Sequence, residues 1–155
     1  MKLITLILIT FLLIACSNST IYEKNIEVNE KGWNYKDTLK YKFNIQNPQQ
    51  NYNLLIHLKY LNTYTYSNLF FFVDVIDPEN NKYRDTIECI MATPKGRWLG
   101  EKSGNYIEHE FMYRYNVNFP KKGNYKIKLQ QAMRDTILKK ISSVGLELRK
   151  FEKLN

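Results

Sequence analysis

Across most of this chain apolar and polar residues take turns, and that period of two leaves room for little but β-strands. Tyr41, Phe43 and Ile45 alternate with Lys40, Lys42 and Asn44. Tyr52, Leu54, Ile56, Leu58 and Tyr60 form a second stripe, opposed by Asn53, His57 and Lys59. Tyr125, Ile127 and Leu129 alternate with lysines and Gln130, and Val144, Leu146 and Leu148 with Gly145, Glu147 and Arg149. Each such strand has one buried and one wet face. Leu69 to Ile76 is apolar on both sides apart from Asp74, which predicts a central strand. Turn signals separate the runs at Asn47-Pro48, Asp77 to Asn81 and Pro120 to Asn124, and Asn80-Asn81 suits a tight hairpin because asparagine tolerates positive φ. About eight strands are expected, near 21–28, 38–46, 52–61, 68–76, 82–90, 106–119, 124–132 and 144–151. The fold class is all-β: an antiparallel two-sheet β-sandwich of jelly-roll or immunoglobulin-like type. One helical turn or two is expected around Arg134 to Ser142. Thr93 to Asn105, with three glycines and Trp98, reads as a long crossover or binding loop.

The first residues follow a different logic. Lys2 precedes an uncharged, apolar run from Leu3 to Ile14, and Leu13-Ile14-Ala15-Cys16 ends it. The layout is that of a secretory signal, too short to span a bilayer comfortably. The apolar pair and the small residue before cysteine form a lipobox. Cys16 is expected to be acylated, with palmitate among the chains, and the signal to be cut after Ala15. Residues 1–15 are thus read as signal, 16–20 as acylated cysteine and tether, and 21–155 as one β-sandwich domain of a 140-residue mature chain. The membrane is a partner through the N-terminal lipid, each buried methylene contributing roughly 0.8 kcal/mol. With Cys16 acylated, Cys89 has no partner and no intramolecular disulfide is expected. The tether Ser17 to Thr20 carries no acidic signal, which favours a domain facing the periplasm.

An enzyme would need a nucleophile with a base, paired carboxylates in a cleft, or a metal cluster. His57 lies on the polar side of its strand and is expected to be solvated, whereas His109 shares the apolar register of Ile107 and Phe111 as a hydrogen-bonded core residue. Glu108 and Glu110 point the other way, beside Arg114, as a solvated face. Cys89 has no histidine near it in sequence and is expected to be an inert buried thiol. No metal spacing or phosphate loop is seen, no cofactor is expected, and the chain reads as non-enzymatic. The formal charge of +8 comes from lysines spread over alternate strand positions, a pattern that keeps a sandwich soluble. Nucleic acid is not an expected partner in an exported compartment; anionic head groups or an acidic protein are the alternatives. Most of the 12 Tyr, 8 Phe and 2 Trp belong to the core, but Tyr60, Tyr64 and Tyr66 lie in a polar stretch between strands, where exposure and packing are both open. Ordinary loop packing is the plainer reading of this segment; as the alternative, Tyr64 and Tyr66 with Trp98 and Arg97 are the candidate partner-contact residues.

Several segments then carry a family resemblance. Tyr66 to Val73, Arg84-Asp85-Thr86-Ile87-Glu88-Cys89, Gly96-Arg97-Trp98-Leu99-Gly100 and Ser103-Gly104 are among them. So are Phe119-Pro120, Gly123-Asn124-Tyr125, Gln131 to Asp135 and Val144-Gly145-Leu146. In this order they resemble the gliding-motility lipoprotein GldH family of Bacteroidota. The resemblance implies a non-enzymatic envelope lipoprotein, held at the outer membrane and facing the periplasm. It would support the gliding and type IX secretion machinery through contacts with other envelope lipoproteins. Gly96, Gly100 and Gly104 would permit unusual backbone angles, and the Arg-Asp pairs at 84–85 and 134–135 would tie loops to the sandwich. The alternative is a carbohydrate-binding envelope lipoprotein using the loop aromatics.

Overall fold

The computed structural model describes residues 19–153; Ala15, Cys16, the signal segment and most of the tether lie outside the described residues. Eleven strands run in chain order: β1 (Thr20–Glu27), β2 (Trp33–Asn34), β3 (Leu39–Ile45), β4 (Asn51–Leu61), β5 (Asn68–Ile76) and β6 (Lys82–Ile90), then β7 (Glu101–Ser103), β8 (Tyr106–Asn118), β9 (Gly123–Gln131), β10 (Ile137–Leu138) and β11 (Ile141–Lys150). A five-stranded sheet has the order β1-β11-β4-β8-β7, a four-stranded sheet the order β3-β9-β5-β6, and β10 pairs with β2. Every pairing is antiparallel. The eight long strands are those that the alternation marks, and β5 lies between β9 and β6 as its two-sided apolar character predicts.

The two larger sheets stack in a sandwich-like manner around one core. Tyr41, Ile45, Leu69, Phe71, Ile127 and Leu129 come from the four-stranded sheet; Leu54, Ile56, Leu58, Val144, Leu146 and Leu148 come from the other. Burying each of these side chains stabilises the fold by roughly 1.5–3 kcal/mol. The Tyr41 hydroxyl donates 2.7 Å to the Val144 carbonyl, satisfying itself inside the core and pinning one sheet to the other. At one open edge Tyr22 of β1 packs against Phe43 of β3, with ring centroids 5.6 Å apart. The described residues therefore hold both faces of the core.

Three short elements depart from expectation. Residues 134–142 form no helix but contain β10 and a bend, for a local reason. The Gln131 carboxamide accepts from the Met133 N–H and donates to the Asp135 carbonyl, so a side chain takes backbone groups that a helix would pair. Leu138 is buried opposite Trp33, and Lys140 has a left-handed φ of 71°. Thr93 to Asn105 is folded back rather than open: Trp98 bridges Ala92, and β7 pairs with β8. Gly96, Gly100 and Gly104 all have positive φ. The bend at Gly100 is also sterically closed, since a Cβ there would meet the Glu108 carbonyl oxygen at 2.6 Å. At the β5–β6 turn Asn80 takes φ 67°, and Asp77 Oδ1 accepts from the N–H groups of Glu79 and Asn81, both 2.9 Å.

The outer faces of the two sheets differ in charge. Outward on the four-stranded sheet are Lys40, Lys42, Lys82, Arg84, Lys126 and Lys128, against only Asp74 and Glu88. Outward on the five-stranded sheet are Glu23, Glu27, Glu101, Glu108, Glu110 and Glu147, against Lys59 and Arg149. The lysines are thus not evenly spread, as the strand-by-strand reading expected; sheet assignment gathers them on one side.

Candidate functional site

The aromatic corner is built by the Tyr60–Tyr66 segment and the Trp98 bend. Tyr60 and Tyr64 are buried, so packing is the reading that holds for this stretch. The reason is mutual packing: Trp98 lies edge-on to Tyr60 at 5.3 Å and tilted on Tyr64 at 6.5 Å, while Tyr64 meets Tyr66 at 5.8 Å. Hydrogen bonds complete the cluster. Trp98 Nε1 donates to the Asn62 carbonyl at 3.2 Å, the Tyr64 hydroxyl to the Asn68 carbonyl at 3.2 Å, and the Tyr66 hydroxyl to Asp135 at 2.9 Å. Of the four candidate contact residues, Arg97 is exposed, Trp98 and Tyr66 are half-buried, and Tyr64 is enclosed. Burial pushes the Tyr64 hydroxyl well above the ordinary tyrosine range, aided by the nearby Tyr66 and Asp135.

The second constellation lies on the acidic face and was not anticipated. Glu147, only 3% exposed, accepts from Arg149 Nε and from Arg149 Nη2 at 2.7 Å, from the Thr20 hydroxyl, and faces His57 Nε2 at 2.7 Å. Arg149 Nη2 also reaches Glu110 at 2.8 Å. Burial by itself would raise the Glu147 carboxyl, but the bonds from Arg149, Thr20 and His57 hold it below the usual glutamate range. Glu147 and Glu110 conversely raise Arg149. His57 is therefore half-buried and bonded rather than simply solvated. Its partner lies 90 residues away, which no local pattern reveals. Ligand atoms of His57, Glu110 and Glu147 lie within 4.8 Å of one another, a spacing suited to a metal, but the Arg149 guanidinium bonds to both carboxylates from within the same cluster.

The other titratable groups occupy separate environments. Glu108 pairs with Lys59 at 3.0 Å, on the outer face with Glu110. His109 lies in the inward register opposite Leu58; its buried Nδ1 has no hydrogen-bond partner among the described residues, correcting the bonded core histidine expected there. Burial lowers the tendency of His109 to protonate. Cys89 is fully buried, and burial, with Glu88 adding to it, pushes its thiol up to about 12. Such a thiol is protonated and unreactive at neutral pH. Arg84 ties bidentately to Asp74 at 2.6 and 2.9 Å, within its own sheet. Asp85 instead crosses to the other sheet, accepting from Arg114 at 2.6 Å, so Arg114 does not serve Glu108 or Glu110. Asp135 accepts from Tyr66 in another connecting segment, whereas Arg84 and Asp85 join strand to strand rather than a loop to the sandwich.

Comparison with known proteins places this geometry. The family described as GldH lipoprotein matches residues 20–148, from the first residue of β1 to within two residues of the end of β11. The chain belongs to the GldH lipoprotein family. A gliding motility lipoprotein GldH homolog of Christiangramia forsetii is 32% identical over 143 residues, which is 88% of this chain and 87% of that one. The gliding motility lipoprotein GldH of Flavobacterium johnsoniae is 28% identical over 131 residues, covering 84% and 80%. Lipoprotein character and a part in gliding motility follow for this GldH-family chain, and with them a place in the cell envelope. Among solved structures, a 4-O-methyl-alpha-glucuronidase with specificity for decorated arabinogalactans aligns with 88% of this chain and 18% of its own, at 10% identity. Its TM-score of 0.43 carries no argument about fold or function.

Proposed function

We propose that this protein is a non-enzymatic assembly lipoprotein of the gliding and type IX secretion apparatus, acylated at Cys16 and facing the periplasm from the outer membrane. The observation that carries the reading is the family match over residues 20–148, joined to the lipobox that ends at Cys16. The chemistry of the side chains agrees with it. Glu108, Glu110 and Glu147 are held in ion pairs, and the Cys89 thiol is buried and protonated. The contact surface for another envelope lipoprotein is the rim of the aromatic corner, formed by exposed Arg97 and half-buried Trp98 and Tyr66. Tyr64 supports that rim from beneath.

Deletion of the gene in the source bacterium should abolish surface spreading and reduce release of type IX cargo, and both should return with the wild-type gene. Spreading and secretion left intact would overturn the reading. A photocrosslinking residue at Arg97 should capture a defined envelope protein in intact cells, while one placed on the β3–β9 face should not capture the same protein. The carbohydrate-binding alternative finds no support in the arrangement, because Trp98 and Tyr64 are packed against neighbouring aromatic rings.

A further inference from the structure

The four-stranded sheet carries an arrangement that folding alone does not favour. Lys40 stands directly opposite Lys128, and Lys42 directly opposite Lys126. Like charges in facing strand positions repel, yet none of these four ammonium groups has an ion-pair partner among the described residues. The nearest acid in register with Lys128 is Asp74, and its carboxylate is already taken by Arg84 at 2.6 Å and Lys82 at 3.1 Å. The result is a lattice of lysines on adjacent strands. Strands about 4.8 Å apart with alternate residues about 7 Å apart make it a close grid of positive charge. Lys24 of the neighbouring β1 adds to it, its Nζ lying 3.5 Å from the Lys40 carbonyl oxygen.

We propose that the Lys40–Lys42–Lys126–Lys128 lattice is the face on which this protein lies against anionic lipid head groups. The spread over two strands favours a lipid surface over a single acidic segment, because lysines on both strands can meet a surface of distributed negative charge at once. The length of the tether supports the same occupant. β1 begins at Thr20, four residues after Cys16, and a fully extended chain covers at most about 3.6 Å per residue, or about 14 Å here. An acyl chain on Cys16 therefore holds the edge formed by β1 and β3 within reach of the bilayer. This step rests on acylation at Cys16. The opposite face, with its six outward glutamates, would be repelled by the same membrane, so the charge pattern also sets the side turned away from it.

The test uses residues 17–155, which contain every described strand and the whole described core but no acyl chain, with circular dichroism and thermal melting confirming the fold of each variant. The unacylated protein should sediment with mixed phosphatidylglycerol–phosphatidylcholine vesicles, not with phosphatidylcholine alone, and should be released by salt. Each lysine near the surface should count for about fivefold in partitioning, so K40Q/K42Q/K126Q/K128Q should weaken binding by about a hundredfold or more. E23Q/E27Q should leave it unchanged or tighten it. Absence of binding to the anionic vesicles, equal binding to both vesicle types, or undiminished binding of the quadruple variant would each overturn the proposal. So would lysine-dependent self-association in the ultracentrifuge with no vesicle binding, which would make a second copy the occupant. Because acylation is read separately, from the mass of the mature protein, failure here leaves the lipoprotein reading standing.

Discussion

The two outer faces of the sandwich both place like charges opposite one another, but they treat the conflict differently. On the acidic face Glu23 opposes Glu147 and Glu101 opposes Glu108. Counter-ions are interleaved there: Arg149 spans Glu147 and Glu110, and Lys59 takes Glu108, while His57 Nε2 lies within hydrogen-bond distance of Glu147. On the basic face Lys40 opposes Lys128 and Lys42 opposes Lys126 with no carboxylate between them. The acidic face is thus a partly closed electrostatic system: Glu108, Glu110 and Glu147 are paired, while Glu23, Glu27 and Glu101 have no ion-pair partner among the described residues. The lysine lattice is an open one, and its charge is available to something outside the chain. Composition reports one excess of positive charge and cannot express this difference.

That contrast can be broken from either side. The largest effect should come from Glu147→Ala, which strips the buried acceptor from Arg149, Thr20 and His57. Breaking a buried pair costs about 3–5 kcal/mol, and the partial exposure of Arg149 brings the expectation down to about 2–3 kcal/mol, readable by urea denaturation. Acid should act on the same node. The Glu147 carboxyl is held below its unfolded value of about 4.3, so its contribution is fully present above that pH and is lost as pH falls through the folded value. Stability measured below about pH 4.3 should therefore fall less steeply in Glu147→Gln than in the wild type; an unchanged slope would assign the acid sensitivity to Asp74 and Asp77, whose carboxyls are also lowered.

Changes on the lysine lattice should have the opposite sign. Lys42→Glu converts a repulsive facing pair into an attractive one with Lys126 and should stabilise the fold by about 0.5–1 kcal/mol. A destabilised variant would show that the lattice has internal partners after all. The smallest effect is expected at Arg114→Gln, which removes an exposed tie to Asp85. Surface pairs of this kind contribute about 0–1 kcal/mol, and the shift in melting temperature should be correspondingly slight.

Much of this was legible strand by strand. Alternation is a local signal, so Lys40 and Lys42, Lys126 and Lys128, and Glu108 and Glu110 could each be assigned to an outward register before any pairing was known. Which strands become neighbours is not local. That β3 lies beside β9, and not beside one of the acidic strands, turns four scattered lysines into a lattice. The same limit hid the Glu147 cluster, whose members come from β1, β4, β8 and β11. It hid β2, β7 and β10 as well, because strands of two or three residues are too short to show a period. The helix expected at 134–142 failed for another reason: Gln131 substitutes its side chain for backbone partners, and propensity does not report such a bond. The aromatic corner stayed open to two readings because polar residues separate the tyrosines, whereas the residue that covers Tyr60 and Tyr64 is Trp98, more than thirty positions away.

The place of β11 in its sheet has a consequence in time. The last strand of the chain lies between the first and the fourth, hydrogen-bonded to β1 on one side and β4 on the other. A chain emerging from its N-terminus has no partner for β1 until residues 141–150 have also arrived. Closure of the larger sheet is thus a late, long-range event, of the kind that makes β-rich folds slow. If the chain is exported as proposed above, such a delay would keep the larger sheet open until its final segment has crossed the membrane.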